Sequence, residues 1–246
     1  MIKVGITGSN GFIGKHLSKE LINQGIKFLS FNLPQNDLLS PQGKKLEKFV
    51  RDSDVIVHTA AVNRGTDLEI VSGSVVATYN LIAAIKKNKS RTKLIFLSSI
   101  QAETETLYGQ SKRLTEIMLE DCFNNYKIPV SILRLTNVFG EGCKPFYNSV
   151  VATFCYQTAN GKELIIDPKS KKRKMNLIYV GDVVDVINRE IFTKRKNPFY
   201  FKRVSTKNEI TVSNLAKLII FFKKGKSIKL KDSFQEKLYK TYLSYE

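Results

Sequence analysis

The apolar positions of this 246-residue chain fall into two alternating kinds of segment. Short, nearly continuous apolar runs at 2–7, 26–32, 54–61, 94–99 and 129–140 suit interior parallel strands, which are covered on both faces. Longer stretches between them, at 15–24, 40–52, 70–89 and 110–124, carry apolar residues at helical spacing. Strand and helix thus alternate, which predicts an α/β fold with a doubly wound parallel sheet. Past residue 140 the pattern predicts a helix at 146–160, a short strand at 163–166 and a helix at 211–224. In that last helix Leu215, Leu218, Ile219 and Phe222 form the buried stripe. The expected organisation is a single unit: a core of about 1–140 plus 176–193, and a small C-terminal substrate-binding lobe of about 141–175 and 194–246.

Composition narrows the class. A hydrophobic fraction of 42% with 10% aromatics fits a folded chain able to bury a sizeable core. No apolar run reads as a membrane span, and residues 1–4 lead into a strand rather than a signal peptide. Cys122, Cys143 and Cys155, with His16 and His58, offer no metal-ligand spacing, so a reduced, cytoplasmic, metal-free protein is expected. The net charge of +18 is spread widely, with clusters at 169–174 and 223–231 that lack the interleaved aromatics of a base-stacking surface. It reads as a solvated lysine-rich exterior that also attracts anionic nucleotides, rather than as a nucleic-acid interface.

Two motifs carry the chemistry. The first strand runs directly into Gly8-Ser9-Asn10-Gly11-Phe12-Ile13-Gly14 and then a helix. Glycines at 8, 11 and 14 let the backbone turn sharply, approach a pyrophosphate and pack the helix close, while the helix N-terminus offers amide donors. The second motif is Tyr108-Gly109-Gln110-Ser111-Lys112, four residues apart on one helix face. An ammonium beside a phenol favours phenolate, making a usable acid of a group that ordinarily titrates near ~10. Ser99, or its neighbour Ser98, ends the preceding strand and can bond the same substrate oxygen.

Together Thr7-Gly8-x-x-Gly11-x-x-Gly14, Ser99 and Tyr108-x-x-x-Lys112 resemble the extended short-chain dehydrogenase/reductase family of sugar-nucleotide epimerases, dehydratases and reductases. The resemblance implies a Rossmann-like fold and Ser99, Tyr108 and Lys112 as catalytic residues. It places Asn10, Phe12 and Ile13 with the three glycines on the cofactor, and Ala60-Ala61 under the nicotinamide ribose. Asp37-Leu38 matches a family pair at the adenine edge, although a loop or cap role for Asp37 fits equally. Leu135, Asn137 and Val138 lie on the cofactor side of the strand ending in Asn137-Val138-Phe139-Gly140. Asn32 stands where an acidic residue usually holds the adenosine ribose; the missing carboxylate tilts the cofactor toward NADP, with NAD the other choice and Lys15 the nearest cation past the third glycine. Ser74 replaces an asparagine that the family uses in its proton relay. Arg134, inside an apolar strand, requires a partner. His58 reads as a packed strand residue and Asp182 as a helix-cap and ion-pair residue.

The segments 137–156, 58–64, 98–102 and 239–245 look like the reductase domains of capsular-polysaccharide enzymes that make the UDP-N-acetyl-L-fucosamine precursor. Those proteins commonly continue into a cupin, and this chain stops at Glu246, so the cupin is expected to be absent from it. The resemblance implies NADPH-dependent reduction of a UDP-linked 4-keto-6-deoxy sugar. Asn63, Arg64, Gln101, Asn137, Lys144, Tyr147 and Asn148 would line the sugar nucleotide beside Ser99 and Tyr108. Ile100-Gln101 replaces the Asp-Glu of the dehydratases, which disfavours dehydration. A C4 epimerase retaining NAD uses the same triad and stays open, as does a non-catalytic RNA-binding relative. A homodimer is the expected assembly.

Overall fold

A computed structural model describes every residue except Met1, Pro41, Gln42, Lys89, Ser90 and Asn208. The first elements are β1 (Val4–Thr7), α1 (Phe12–Asn23), β2 (Phe28–Phe31), α2 (Gly43–Arg51) and β3 (Val55–His58). There follow α3 (Asp67–Val71), α4 (Ala77–Lys87), β4 (Lys93–Ser99), α5 (Leu107–Tyr126), β5 (Val130–Leu135) and β6 (Asn137–Phe139). Then come α6 (Val150–Ala159), β7 (Lys174–Tyr179), α7 (Val180–Phe192), β8 (Phe199–Val204), β9 (Glu209–Thr211), α8 (Val212–Phe221) and α9 (Ser233–Leu243). The chain divides into two compact units, 1–135 with 184–204, and 136–183 with 205–246.

The first unit holds a six-stranded sheet in the order β2-β1-β3-β4-β5-β8, every neighbouring pair parallel. β3 is buried along its whole length and β4 nearly so, the signature that their continuous apolar runs predict. Leu81 and Ile85 of α4 and Leu119 of α5 pack with Leu94, Phe96, Val130 and Ile132 of the sheet in one cluster. The strand order reverses between β1 and β3, the place where open α/β sheets take their ligands.

Several boundaries differ from the sequence reading. Residues 199–204, assigned above to the lobe, pair with β5 as the sixth core strand. Residues 174–179, partly assigned to the core, pair instead with β6 and β9 in a separate three-stranded sheet. The run at 129–140 is two strands, because pairing with β4 ends at Leu135 and Asn137 begins β6. Residues 163–166 form no strand; Leu164 and Ile166 pack on the second unit's core while Ile165 points to solvent, 83% exposed.

The helix expected at 70–89 also differs. It opens at Asp67, capped by Thr66 and Glu69 bonding each other's backbone amides, and a π-helical turn at Ser72–Val76 interrupts it. Residues 67–87 are long and apolar enough by composition to resemble a membrane span, contrary to the sequence reading. That apolarity serves the fold, since Ala77, Leu81, Ile82, Ala84 and Ile85 are buried in the core cluster. In the second unit Phe139, Phe154 and Leu177 pack with Leu215, Ile219 and Phe222 of the predicted stripe and Leu238 of α9.

Candidate functional site

The glycine turn lies between β1 and α1 at the strand-order reversal. Gly8 adopts φ +72°, and a Cβ there would stand 2.8 Å from the Ala60 backbone. At Gly14 a Cβ would meet the Gly8 carbonyl at 2.2 Å, so only glycine lets the helix press on the turn. The Gly11 amide donates to the Gly8 carbonyl at 2.9 Å, and Gly11 caps α1 with no side chain over the helix end. The first turn of α1 contains no acidic residue. A tight cradle with uncovered helical amides and no opposing carboxylate fits the pyrophosphate of a nicotinamide dinucleotide.

Asn32 follows the end of β2. Its Oδ1 accepts the Ser9 amide at 2.7 Å and its Nδ2 donates to the Ser9 hydroxyl at 2.5 Å, tying the second strand to the glycine turn. Asp37 accepts the Leu39 amide at 2.8 Å, the loop role left open above. Ala60 and Ala61, then Asn63 and Arg64, follow the end of β3, and Leu135 ends β5.

The serine pair at the end of β4 resolves into two tasks. The Ser98 hydroxyl is buried and donates to Glu116 Oε1 at 2.5 Å, whereas Ser99 is half-buried and its hydroxyl accepts the Gln101 amide at 3.2 Å. Strand alternation sends the two side chains to opposite faces, so Ser99 is the one left for a ligand. A short 3₁₀ turn, Ile100–Glu103, follows Ser99. Thr106 caps α5, its hydroxyl accepting the Gly109 amide at 3.1 Å, which fixes the helix start one residue before Tyr108.

Lys112 is buried under that helix start. Its Nζ donates to the Leu97 carbonyl at 3.1 Å and stands 4.7 Å from the centre of the Phe96 ring and 5.9 Å from that of Tyr108. Burial pushes the ammonium down to about 8, and the Glu116 charge works against that fall. His58 behaves as a packed strand residue: Thr7 and Thr78 hydroxyls meet its ring nitrogens at 2.6 and 3.0 Å. Burial, then the nearby Lys112 charge, lower it to about 3.

Arg134 has the partners its burial demands. It binds Glu116 through Nε at 3.0 Å and through Nη2, and Glu103 through Nη1 at 2.8 Å. Burial raises the Glu116 carboxyl, but hydrogen bonds from Arg134, Ser98 and Arg113 outweigh it and hold the group below the usual carboxylate range. The sequence reading passed over Glu116; its signal was an acidic residue one helical turn past Lys112, opposite a strand arginine in need of a partner. Ser74 lies buried inside the π-helical turn with its hydroxyl 3.4 Å from the Val62 carbonyl, in a helix irregularity of the kind that clusters at functional sites.

The remaining candidates belong to the second unit. Asn137 opens β6, rather than ending a core strand, and donates to the Asn176 carbonyl at 3.1 Å; Val138 follows it. Lys144 stands 5.3 Å over the Tyr147 ring in the segment leading to α6, next to Asn148. Asp182 pairs with Lys237 at 2.6 Å from the first turn of α7. The candidates thus divide by unit: Gly8 through Leu135 in the first, Asn137, Val138, Lys144, Tyr147 and Asn148 in the second.

A UDP-2-acetamido-2,6-beta-L-arabino-hexul-4-ose reductase of Pseudomonas aeruginosa is 33% identical over 250 residues, covering 99% of this chain and 65% of that protein. The capsular polysaccharide assembling protein CapF of Staphylococcus aureus superposes with a TM-score of 0.78 at 30% identity, covering 99% of this chain and 65% of that one. The chain therefore spans about two thirds of the length of these two relatives, 65% in each case. A UDP-glucose 4-epimerase of Thermotoga maritima, solved with UDP-glucose, shares the fold at TM-score 0.84 and 20% identity, over 99% and 98% of the two chains. The NAD dependent epimerase/dehydratase family matches residues 4–197, across the glycine turn, Ser99, Tyr108 and Lys112, and the chain belongs to that family.

Proposed function

We propose that this chain reduces the C4 keto group of a UDP-2-acetamido-2,6-dideoxy-hexos-4-ulose with NADPH, as a step in making a sugar nucleotide for capsule or O-antigen. The observation that carries the reading is the buried Lys112 ammonium beneath Tyr108, with the half-buried Ser99 hydroxyl at the end of the adjoining strand. The Pseudomonas relative, a UDP-2-acetamido-2,6-beta-L-arabino-hexul-4-ose reductase, supports the choice of substrate. When bound, the dihydronicotinamide supplies the hydride.

The residues of the chain do the rest. Ser99 donates a hydrogen bond to the substrate ketone and orients it toward Tyr108. Tyr108 gives its phenolic proton to the oxygen as negative charge develops there. Lys112 favours loss of that proton and holds the nicotinamide ribose. Gly8, Gly11 and Gly14, with Asn10, Phe12 and Ile13, seat the pyrophosphate; Ala60, Ala61 and Leu135 flank the nicotinamide side and Asp37 the adenine. Asn63, Arg64 and Gln101 of the first unit take the sugar nucleotide.

NADPH over NADH rests on Asn32, which puts an amide rather than a carboxylate after β2. A homodimer is supported by exposed apolar residues on two neighbouring helices, Tyr79 on α4 and Leu114 and Ile117 on α5. The cytoplasm is supported by three free thiols. The test is NADPH oxidation, followed by absorbance, across UDP- and dTDP-linked 4-keto sugars, with NADH in parallel. Oxidation with the UDP-linked acetamido sugar, and a loss of about 10²–10⁴-fold in Tyr108→Phe, is the expected result. Interconversion of C4 epimers with no reductant added would replace this reading with epimerisation.

A further inference from the structure

The residues proposed for proton transfer come from separate elements: Ser99 from β4, Tyr108 and Lys112 from α5. One buried side chain of α5 bonds the carboxyl ends of both β4 and β5. Glu116, one helical turn beyond Lys112, is 2% exposed. Its Oε1 accepts Ser98 of β4 at 2.5 Å and Arg134 Nε of β5 at 3.0 Å. Its Oε2 accepts Arg134 Nη2 and, at 3.2 Å, Arg113 Nη1. Ser98 and Arg134 are direct partners in the β4–β5 register. The other end of the Arg134 guanidinium holds Glu103 of the 3₁₀ turn at 2.8 Å, and Arg203 of β8 meets the same carboxylate at 3.0 Å.

We infer that Glu116 is the positioning residue of this site, a buried carboxylate that clamps α5 to the ends of β4 and β5 and so fixes Ser99, Tyr108 and Lys112 relative to one another. The inference rests on the oxidoreductase reading above. Bidentate guanidinium–carboxylate contact is planar and directional, so the clamp defines an angle as well as a distance. Ser98 is adjacent to Ser99 and Glu116 is one turn from Lys112, so an error at the clamp passes to both groups. Arg113 and Arg203 shield the outer ends of the network, with side chains 47% and 53% exposed.

The clamp also acts through charge. Facing Lys112 or its immediate surroundings are His58 from β3, Tyr108 and Glu116 from α5, Arg134 from β5, Glu103 from the 3₁₀ turn, and the Leu97 carbonyl of β4. His58 is held neutral, so Glu116 is the anion acting on the ammonium, and it favours the charged form. Its loss leaves Arg113 without this carboxylate and Arg134 with Glu103 alone, and pushes Lys112 further down.

The test uses the full chain and reads Lys112 directly. Lysine side-chain NMR, assigned with Lys112→Met, follows the titration of that ammonium in the wild type, in Glu116→Gln and, as a control, in Glu190→Gln. Lys112 is expected to lose its proton near pH 8 in the wild type and about one pH unit lower in Glu116→Gln, with Glu190→Gln unchanged. In steady-state NADPH oxidation Glu116→Gln should lose about 10- to 100-fold in kcat, with KM for the sugar nearly unchanged. Its alkaline limb should move down with the lysine. If Glu116→Gln does not fold, Glu116→Asp decides: the charge is kept and the reach shortened, so the lysine titration stays and kcat falls. A folded Glu116→Gln with unmoved titration and wild-type kcat overturns the inference, as does full kcat in Glu116→Asp. A wild-type protein that oxidises no NADPH sinks the functional reading, and the titration, which needs no turnover, still decides this one.

Discussion

The first unit buries two carboxylates that are built alike and placed differently. Glu190 accepts Lys93 Nζ at 2.6 Å, Arg195 Nη2 at 2.6 Å and the Ser131 hydroxyl at 2.8 Å. Glu116 likewise accepts a serine on a strand and two cations. Both are held below the usual carboxylate range: burial raises each, and hydrogen bonds from their cations and serine outweigh that rise. Along β4 and β5, however, the Glu190 partners Lys93 and Ser131 lie at the amino ends and the Glu116 partners Ser98 and Arg134 at the carboxyl ends. The same solution to burying a charge closes the rear of the sheet in one case and backs the candidate site in the other. Burial with satisfied hydrogen bonds is thus a property of folding; position relative to the strand ends gives one carboxylate a chemical role.

The largest expected effect separates the two by their cations. Arg134→Leu strips Glu116 of its bidentate partner and leaves only Ser98 and the half-exposed Arg113, so it should cost about 3–5 kcal/mol. Lys93→Leu leaves Glu190 with Arg195 and Ser131 and should cost about 1–3 kcal/mol. Urea denaturation measures both, and equal losses would show that the two networks are not differently organised.

The serines sharpen the contrast. Ser98→Ala and Ser131→Ala each remove one hydroxyl from a buried carboxylate and should each cost about 1.5–3 kcal/mol. Only Ser98→Ala is expected to lower kcat as well. If Ser131→Ala lowers kcat equally, distance from the strand ends is not what matters.

Acid provides a third comparison. A carboxylate whose folded value is depressed stabilises the protein above its unfolded value, near ~4.3, and that contribution disappears as pH falls through the folded value. Glu116→Gln with Glu190→Gln should therefore flatten the fall in melting temperature below about pH 4.3. His58 acts over a different range. Lowered from 6.5 to about 3, it stays neutral in the fold while the unfolded chain takes up protons, so stability falls between those values as pH drops. His58→Asn should remove that upper part of the slope and leave the carboxylate part.

Much of this architecture was legible in the sequence, for definite reasons. Gly8, Gly11 and Gly14 advertise a backbone approach that no other residue permits, and Tyr108 and Lys112 are local in sequence, so helical periodicity alone puts them together. Arg134 announced its need for a partner by its polarity within an apolar strand. Its partner did not show, because Glu116 lies eighteen residues away on another element and only the β4–β5 register brings Ser98, Glu116 and Arg134 to one point. The strand at 199–204 was missed for the opposite reason: as an edge strand it carries Lys202 and Arg203 in a pattern that reads as surface. The break after Leu135 was hidden because apolar residues resume at Val138 and Phe139 after only Thr136 and Asn137, although the hydrogen bonds change sheet there.

The smallest effect tests whether the charge argument has the right sign. Arg113 sits on the solvent side of Glu116, its side chain 47% exposed, and bonds Oε2 at 3.2 Å. Glu116 keeps Ser98 and the bidentate Arg134 when this half-exposed partner is lost, so Arg113→Ala should cost only about 0.5–1.5 kcal/mol by the urea midpoint. It does remove a positive charge from the far side of the carboxylate. Glu116 then acts on Lys112 with less compensation, and the lysine titration should move slightly upward, opposite to its movement in Glu116→Gln. Arg195→Ala is the matching change in the other network, where the guanidinium also lies 3.5 Å over the Tyr200 ring. That variant should lose more stability than Arg113→Ala and leave Lys112 where it was. A downward movement of Lys112 in Arg113→Ala would mean that Glu116 governs the lysine through packing alone, since only its charge demands the upward sign.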